Sequence, residues 1–277
     1  ADESQPSAVN FPDPISAVDV LPLAFTEGET GRVRVVTSSA TTIIGTFLNT
    51  SLAVTTEENG TIHTMLIGVP VGTAPNIYTM LLTVTSVTGV VELPINIQVS
   101  GAGYGTQFIT LPEDRLPLLT PAVEENELSI LQGVTDRYTP ERYFNGPFGL
   151  PAAAAMNSAF GATRSYNNGV AQSVHTGADF AAAPGAAVLA AAPGRVALAD
   201  TLNIRGISVI IDHGWGIYTN YSHMAERYVE LGQFVDTGDV IGAVGSTGRS
   251  TGAHLHWELW VNGVPVDPLQ WTRVSFP

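Results

Sequence analysis

His254-Leu255-His256-Trp257-Glu258-Leu259-Trp260 reads as one strand of a β-rich fold. Side chains alternate across a strand, so His254, His256 and Glu258 share one face while Leu255, Trp257 and Leu259 pack into a core on the other. Two imidazoles then point the same way, about 7 Å apart at the usual rise per residue. Two further segments carry comparable groups: Tyr221-Ser222-His223 ends another strand, and His175-Thr176-Gly177-Ala178-Asp179 offers an imidazole and a carboxylate across a glycine-containing turn. Five of the six histidines lie between His175 and His256. Histidine is the commonest neutral metal ligand and the usual general base near pH 7, so this clustering marks a candidate site.

Outward from that strand, short β-type runs fill the chain from about Pro151 onward. They are cut by Pro184-Gly185, Pro193-Gly194, Gly206, Gly214 and a glycine-rich segment from Gly242 to Gly252. This spacing predicts a compact antiparallel sheet or β-roll over 151–277. In the first 100 residues, Val91, Leu93, Ile95, Ile97 and Val99 alternate with Glu92, Pro94, Asn96 and Gln98, the pattern of a half-buried strand. Pro94 cannot donate a ladder hydrogen bond, which puts the strand at a sheet edge or the proline at a non-bonded position. Tyr78, Met80, Leu82 and Val84 repeat the alternation, and six or seven strands between Ile15 and Ser100 predict an immunoglobulin-like β-sandwich. Residues 101–150 read as a connector. Thr120-Pro121 ahead of Glu124, Glu125 and Glu127 marks a capped helix start, and Val123, Glu127, Ile130 and Val134 at helical spacing predict one short helix over roughly 121–137. Thr139 to Pro151 reads as a segment lying across the next domain. The expected fold is mainly β, with an accessory domain at 1–100, a connector at 101–150 and a second domain at 151–277.

Composition narrows the chemistry. The 277 residues include no cysteine, and all eleven basic residues are arginine. Lysine-dependent Schiff bases, biotin or lipoate carriers and Walker-type phosphate loops are excluded, as are thiol nucleophiles, disulfides and thiolate metal sites. Any metal must be held by histidine and carboxylate. The net charge of −14 falls mostly on the first 150 residues, which carry −11. A surface of that sign opposes nucleic acid and anionic membranes as partners. No apolar run approaches the roughly 18 residues of a membrane helix, so no membrane insertion is expected. The polar start ADESQPSAVN, without methionine, reads as sequence behind a removed export signal or as a trimmed end; the first reading predicts a periplasmic or extracellular protein. A monomer is the default expectation.

At its histidine-bearing segments the chain resembles the lysostaphin-type (LytM-like) zinc metallopeptidases, which cut peptidoglycan peptides. The likeness rests on Phe160-Gly161, Arg164, His175-Thr176-Gly177-Ala178-Asp179-Phe180, the run from Ile211 to Met224 containing Tyr221-Ser222-His223, and Gly245-Ser246-Thr247-Gly248 through His254-Leu255-His256-Trp257-Glu258. It covers about 160–270 with the motifs in the family's order, and none of the five key positions departs from the pattern. The resemblance implies that His175, Asp179 and His256 ligate one zinc ion and that His223 and His254 are an unligated catalytic pair. It further implies a metalloendopeptidase acting on cell-wall cross-links. Two imidazoles and a carboxylate would leave an open position for catalysis, where zinc can polarise a carbonyl and acidify water. His254 would take the water proton. His223 would stabilise the oxyanion or protonate the leaving amine, and the division of these roles stays open. The alternative is a zinc-bearing wall-binding or hydrolase-activating module.

Other groups have plainer readings. His213, at a strand end, is expected to be structural or to contact a ligand from behind; Glu258 is a strand residue or a partner to a ligand, and His63 is incidental. Arg164 either meets a substrate carboxylate or holds the loop before His175. Phe234-Val235-Asp236-Thr237-Gly238 matches aspartic-protease text, but that chemistry needs two aspartates, and a turn explains a single copy. No G-x-S-x-G elbow is present for a serine hydrolase.

Overall fold

The computed structural model describes residues 11–276; the polar start at 1–10 lies outside the described residues. Two packed sheets form the N-terminal sandwich. One runs Ile15–Leu21, Thr30–Thr37, Ile62–Gly68, Thr55–Glu57, and the other Ala24–Thr26, Gly89–Ser100, Asn76–Ser86, Thr42–Phe47, Thr50–Ser51. Nine strands thus occupy this region, because short pieces such as Thr50–Ser51 pair separately. Val33, Val35 and Met65 from one sheet meet Met80, Leu82 and Ile97 from the other in a single apolar core. Fully burying one such side chain stabilises by about 1.5–3 kcal/mol. Leu93, Ile97 and Val99 are buried while Glu92, Pro94, Asn96 and Gln98 are exposed. Pro94 stands opposite Leu81, and the strand's other flank is taken only from Gln98 onward. The missing donor therefore falls where the strand has one neighbour.

The segment between the sandwich and the second core is more structured than one helix. Thr106–Ile109 pairs in parallel with Thr163–Tyr166, which pairs antiparallel with Ala171–Val174. A 3₁₀ segment, Glu113–Leu119, leads into the α-helix Pro121–Thr135. Thr120 occupies the cap position without a side-chain hydrogen bond. The buried face of the helix is Glu127, Leu131 and Val134, whereas Ile130 is 40% exposed. Leu131 and Val134 pack on Leu198, Leu202, Ile210, Tyr218 and Trp260.

The large C-terminal sheet runs Met156–Ser158, Ala178–Phe180, Leu255–Val261, Ile217–Arg227, Gly206–Gly214, Gly194–Leu202, Phe234–Val235, with all these pairs antiparallel. Every residue of Leu255–Val261 is buried. Leu255, Trp257, Leu259 and Val261 enter the main core, while Trp260 belongs to the cluster beneath the helix. Phe144 and Phe148 from the 139–151 segment pack on Trp271 at this core. The sandwich is fastened to the C-terminal sheet through Thr30, whose backbone exchanges hydrogen bonds with the Gln270 amide and whose hydroxyl accepts from Trp271 Nε1.

His213 lies within this core. Its Nδ1–H donates to the Pro193 carbonyl and its Nε2 stands 2.7 Å from the Thr219 hydroxyl. Burial pushes its pKa from 6.5 down to about 4. Between these values the unfolded chain binds more protons than the native one, so stability must fall as pH drops from 6.5 toward 4. The span corresponds to about 3 kcal/mol at most. Thermal midpoints measured from pH 7.5 to 4.5 should decline in the wild type and decline less steeply in His213→Gln; equal slopes would rule out His213 as a source of the loss.

Candidate metal centre and catalytic site

Strand register assembles the site. Asp179 on Ala178–Phe180 pairs with His256 on Leu255–Val261, and His256 pairs on its other side with Ser222 of Ile217–Arg227. One strand thus has an aspartate on one flank and the residue before His223 on the other. An isolated bridge between Gly245 and His254 draws in the glycine-rich loop. His175 follows the strand Ala171–Val174 directly. In the turn that carries it, Gly177 leaves no room for a side chain: a Cβ there would lie 2.8 Å from His256 Cε1 and 3.0 Å from Glu258 Cγ.

His175 Nε2, Asp179 Oδ1 and His256 Nδ1 converge, with separations of 3.0 Å, 2.7 Å and 3.2 Å. These three residues could hold a metal ion, and all are buried. The outer nitrogen of each ring already has an acceptor. His175 Nδ1 donates to the Ala159 carbonyl at 2.7 Å, and His256 Nε2 lies 3.2 Å from Glu258 Oε1. This fixes the rings with their inner nitrogens facing Asp179. Burial opposes charge on the Asp179 carboxyl, yet hydrogen bonds from His175 and His256 outweigh it and hold the pKa well below the usual range. Burial lowers the His256 pKa too, but Asp179 on one side and Glu258 on the other raise it overall. The pocket therefore favours positive charge where the three ligand atoms meet. Arg164 binds the remaining oxygen of Asp179 and also contacts Ser158 Oγ at 3.2 Å. Its guanidinium thus ties Asp179 to Ser158 on the strand Met156–Ser158.

His223 and His254 face each other with ring centroids 4.8 Å apart. His223 Nδ1 donates to the Thr247 carbonyl and His254 Nδ1 to the Gly252 carbonyl, each at 2.8 Å. Each ring keeps its Nε2 lone pair for an incoming proton. Burial pushes both pKa values down, His223 well below 6.5. Both are neutral near pH 7, the state a general base requires. His223 has φ +61°, a left-handed conformation costly for a residue with a Cβ. Two hollows flank the centre. One of about 350 Å³ lies between the Pro121–Thr135 helix and His175, His223 and His256, and one of about 170 Å³ beside Asp179 and His254.

Glu258 is fully buried and contacts His256 from behind, as one of its two sequence readings expected. It accepts from Arg205 Nε at 2.9 Å and Asn220 Nδ2 at 2.8 Å, and pairs with Thr176. Burial opposes its charge, but Arg205 keeps its pKa well below the usual range. Sequence reading missed Arg205: Asn203-Ile204-Arg205-Gly206 looks like any turn, and its partners arrive from distant segments. His63 is buried in the sandwich between Thr41 and Thr56, remote from the site. Asp236 sits in a turn closed by Asp239.

Part of the chain is similar to known proteins. The DD-carboxypeptidase/endopeptidase Mpg of Neisseria meningitidis serogroup B is 45% identical over 96 residues, 35% of this chain and 22% of that protein. Peptidoglycan DD-endopeptidase ShyA of Vibrio cholerae is 41% identical over 96 residues, with the same two shares. The chain spans about a fifth of the length of these curated relatives. A crystal structure titled "putative peptidase M23", from Pseudomonas aeruginosa, superposes with a TM-score of 0.62 at 27% identity, covering 85% of this chain and 88% of that one. Residues 173–268 match Peptidase family M23, and this chain carries a domain of that family.

Proposed function

We propose that this protein is a zinc metalloendopeptidase that hydrolyses peptide cross-links of bacterial peptidoglycan. The observation that carries the reading is the convergence of His175 Nε2, Asp179 Oδ1 and His256 Nδ1, with the outer ring nitrogens already bonded. Two imidazoles and one carboxylate suit zinc and leave room for reacting groups, unlike a closed structural site. Relatives named as peptidoglycan DD-endopeptidases, ShyA and ShyC of Vibrio cholerae, support the substrate class. Residues 151–277 would form the catalytic domain, 1–100 an accessory domain and 101–150 a connector, in an exported and monomeric protein. Among the described residues no helix is long and apolar enough to cross a membrane.

In this reading His175, Asp179 and His256 hold the ion. Zinc in that place would polarise the scissile carbonyl and make water more acidic. His254 Nε2, 3.8 Å from Asp179 Oδ1, is the group that takes a proton from the attacking water. The proton it takes goes on to the departing amine, and the neighbouring His223 ring, 4.8 Å away between centroids, is the second member of the pair. Its Nδ1 bond to the Thr247 carbonyl leaves Nε2 as the ring's basic nitrogen. Arg164 binds the second oxygen of Asp179, and Glu258 fixes the His256 ring.

His256→Ala should lose bound zinc and activity together. His254→Ala should retain zinc measured by elemental analysis and lose at least about 10²-fold in turnover; full activity in either variant would sink the assignment. In a peptidoglycan gel, the wild type should give a clear zone that disappears with a strong chelator and returns with added zinc. Wall binding without lysis would instead identify a binding or activating module.

A further inference from the structure

The Pro121–Thr135 helix carries one acidic residue that it does not need for docking. Glu127 is 1% exposed, while Leu131 and Val134 on the same face already pack against Leu198, Ile210, Tyr218 and Trp260. Burying a carboxylate beside an apolar contact is costly unless its partners fix it closely. Glu127 Oε2 accepts from Ile204 N–H at 2.6 Å, and Oε1 accepts from Arg205 N–H at 3.1 Å and Arg205 Nη1 at 3.0 Å. The opposite edge of the same guanidinium grips Glu258, with Nε 2.9 Å from Oε2 and Nη2 2.5 Å from Oε1. Glu258 Oε1 lies 3.2 Å from His256 Nε2. The turn held by Glu127 also reaches the catalytic pair through its backbone: the Arg205 carbonyl accepts from His223 N–H at 2.8 Å, and the Ile204 carbonyl from Arg249 N–H at 2.7 Å.

We propose that Glu127 is a positioning residue for the metal centre: it locks Arg205, which orients Glu258 and thereby the His256 ring that binds zinc. The inference rests on the zinc reading of the site. A guanidinium gripped by a carboxylate on each edge cannot pivot, so the oxygen it presents through Glu258 stays aimed at His256 Nε2. With Glu127 gone, Arg205 loses one anchor and the 203–205 turn loses two acceptors, and both freedoms reach His256. A helix outside the matched family region, 173–268, then helps set the affinity of a metal site inside it.

The test is zinc affinity of the full chain, measured by competition with a chromophoric chelator, alongside the thermal midpoint of the metal-free protein. Glu127→Gln keeps the shape and one acceptor oxygen but drops the charge. Arg205→Lys keeps the charge but loses the fork. Removing a direct outer partner of a metal ligand weakens binding by about 10–100-fold. One link further out, Glu127→Gln should weaken zinc binding by about 3–10-fold with a near-wild-type metal-free midpoint. Arg205→Lys should weaken it as much or more, and the double variant should lose less than the product of the two, since both act on one path. As a structural comparator, Leu131→Ala should lower the midpoint and leave the zinc affinity of the folded protein unchanged. Wild-type zinc affinity in folded Glu127→Gln overturns the proposal; if Glu127→Gln does not fold, Glu127→Asp, which keeps the charge but shortens the reach to Arg205, is measured in its place, and wild-type affinity there overturns it. A wild-type chain that binds no zinc overturns the zinc reading instead.

Discussion

The ladder that sets Asp179 against His256 and His256 against Ser222 fixes the position of almost every reactive group in the molecule. Strand periodicity is two, so a slip of one residue would send His256 into the core and bring Trp257 out to the ligands. The register is held from both faces. Leu255, Trp257, Leu259 and Val261 are anchored in the main core, and Trp260 is anchored beneath the connector helix. Such double burial makes a slipped arrangement expensive on either side. The close approach at Gly177 depends on the same ladder, because the histidine turn passes directly over His256 and Glu258.

Buried charge follows the same economy of placement. Arg164 answers Asp179, and Arg205 answers Glu258 and Glu127. Each cation lies within reach of a carboxylate that touches a candidate ligand, so the desolvation cost of these ions is met by bonds that also aim the rings. With lysine missing from the chain, every such cation is a planar fork able to hold a carboxylate along two directions. The site can therefore be rigid although several of its members come from loops.

Local pattern carried much of this into the sequence. Alternation in 91–99 and 254–260 gave strands and their faces, because successive side chains of a strand point to opposite sides whether one side or both are buried. Helical spacing located Pro121–Thr135 to within two residues at its end. It missed the inward side chain, since Ile130 and Leu131 are both apolar and only the tertiary neighbours decide which turns in. The convergence of His175, Asp179 and His256 was readable through family likeness rather than spacing, as 77 residues separate Asp179 from His256. The Arg205 hub and the strand Thr106–Ile109 were not legible, because each is defined by partners more than fifty residues away.

The left-handed backbone of His223 bears on how the proposed catalytic pair can be dissected. Alanine at this position would remove the imidazole and keep a Cβ in a conformation that only glycine, asparagine and aspartate adopt at low cost. Loss of activity in such a variant would mix chemistry with backbone rearrangement, and the Arg205 carbonyl that accepts from His223 N–H would transmit the shift. Asparagine tolerates the conformation and can still donate an amide N–H toward Thr247, so it removes the ring's basic nitrogen while sparing the main chain. The strained residue thus dictates which substitution separates proton transfer from architecture.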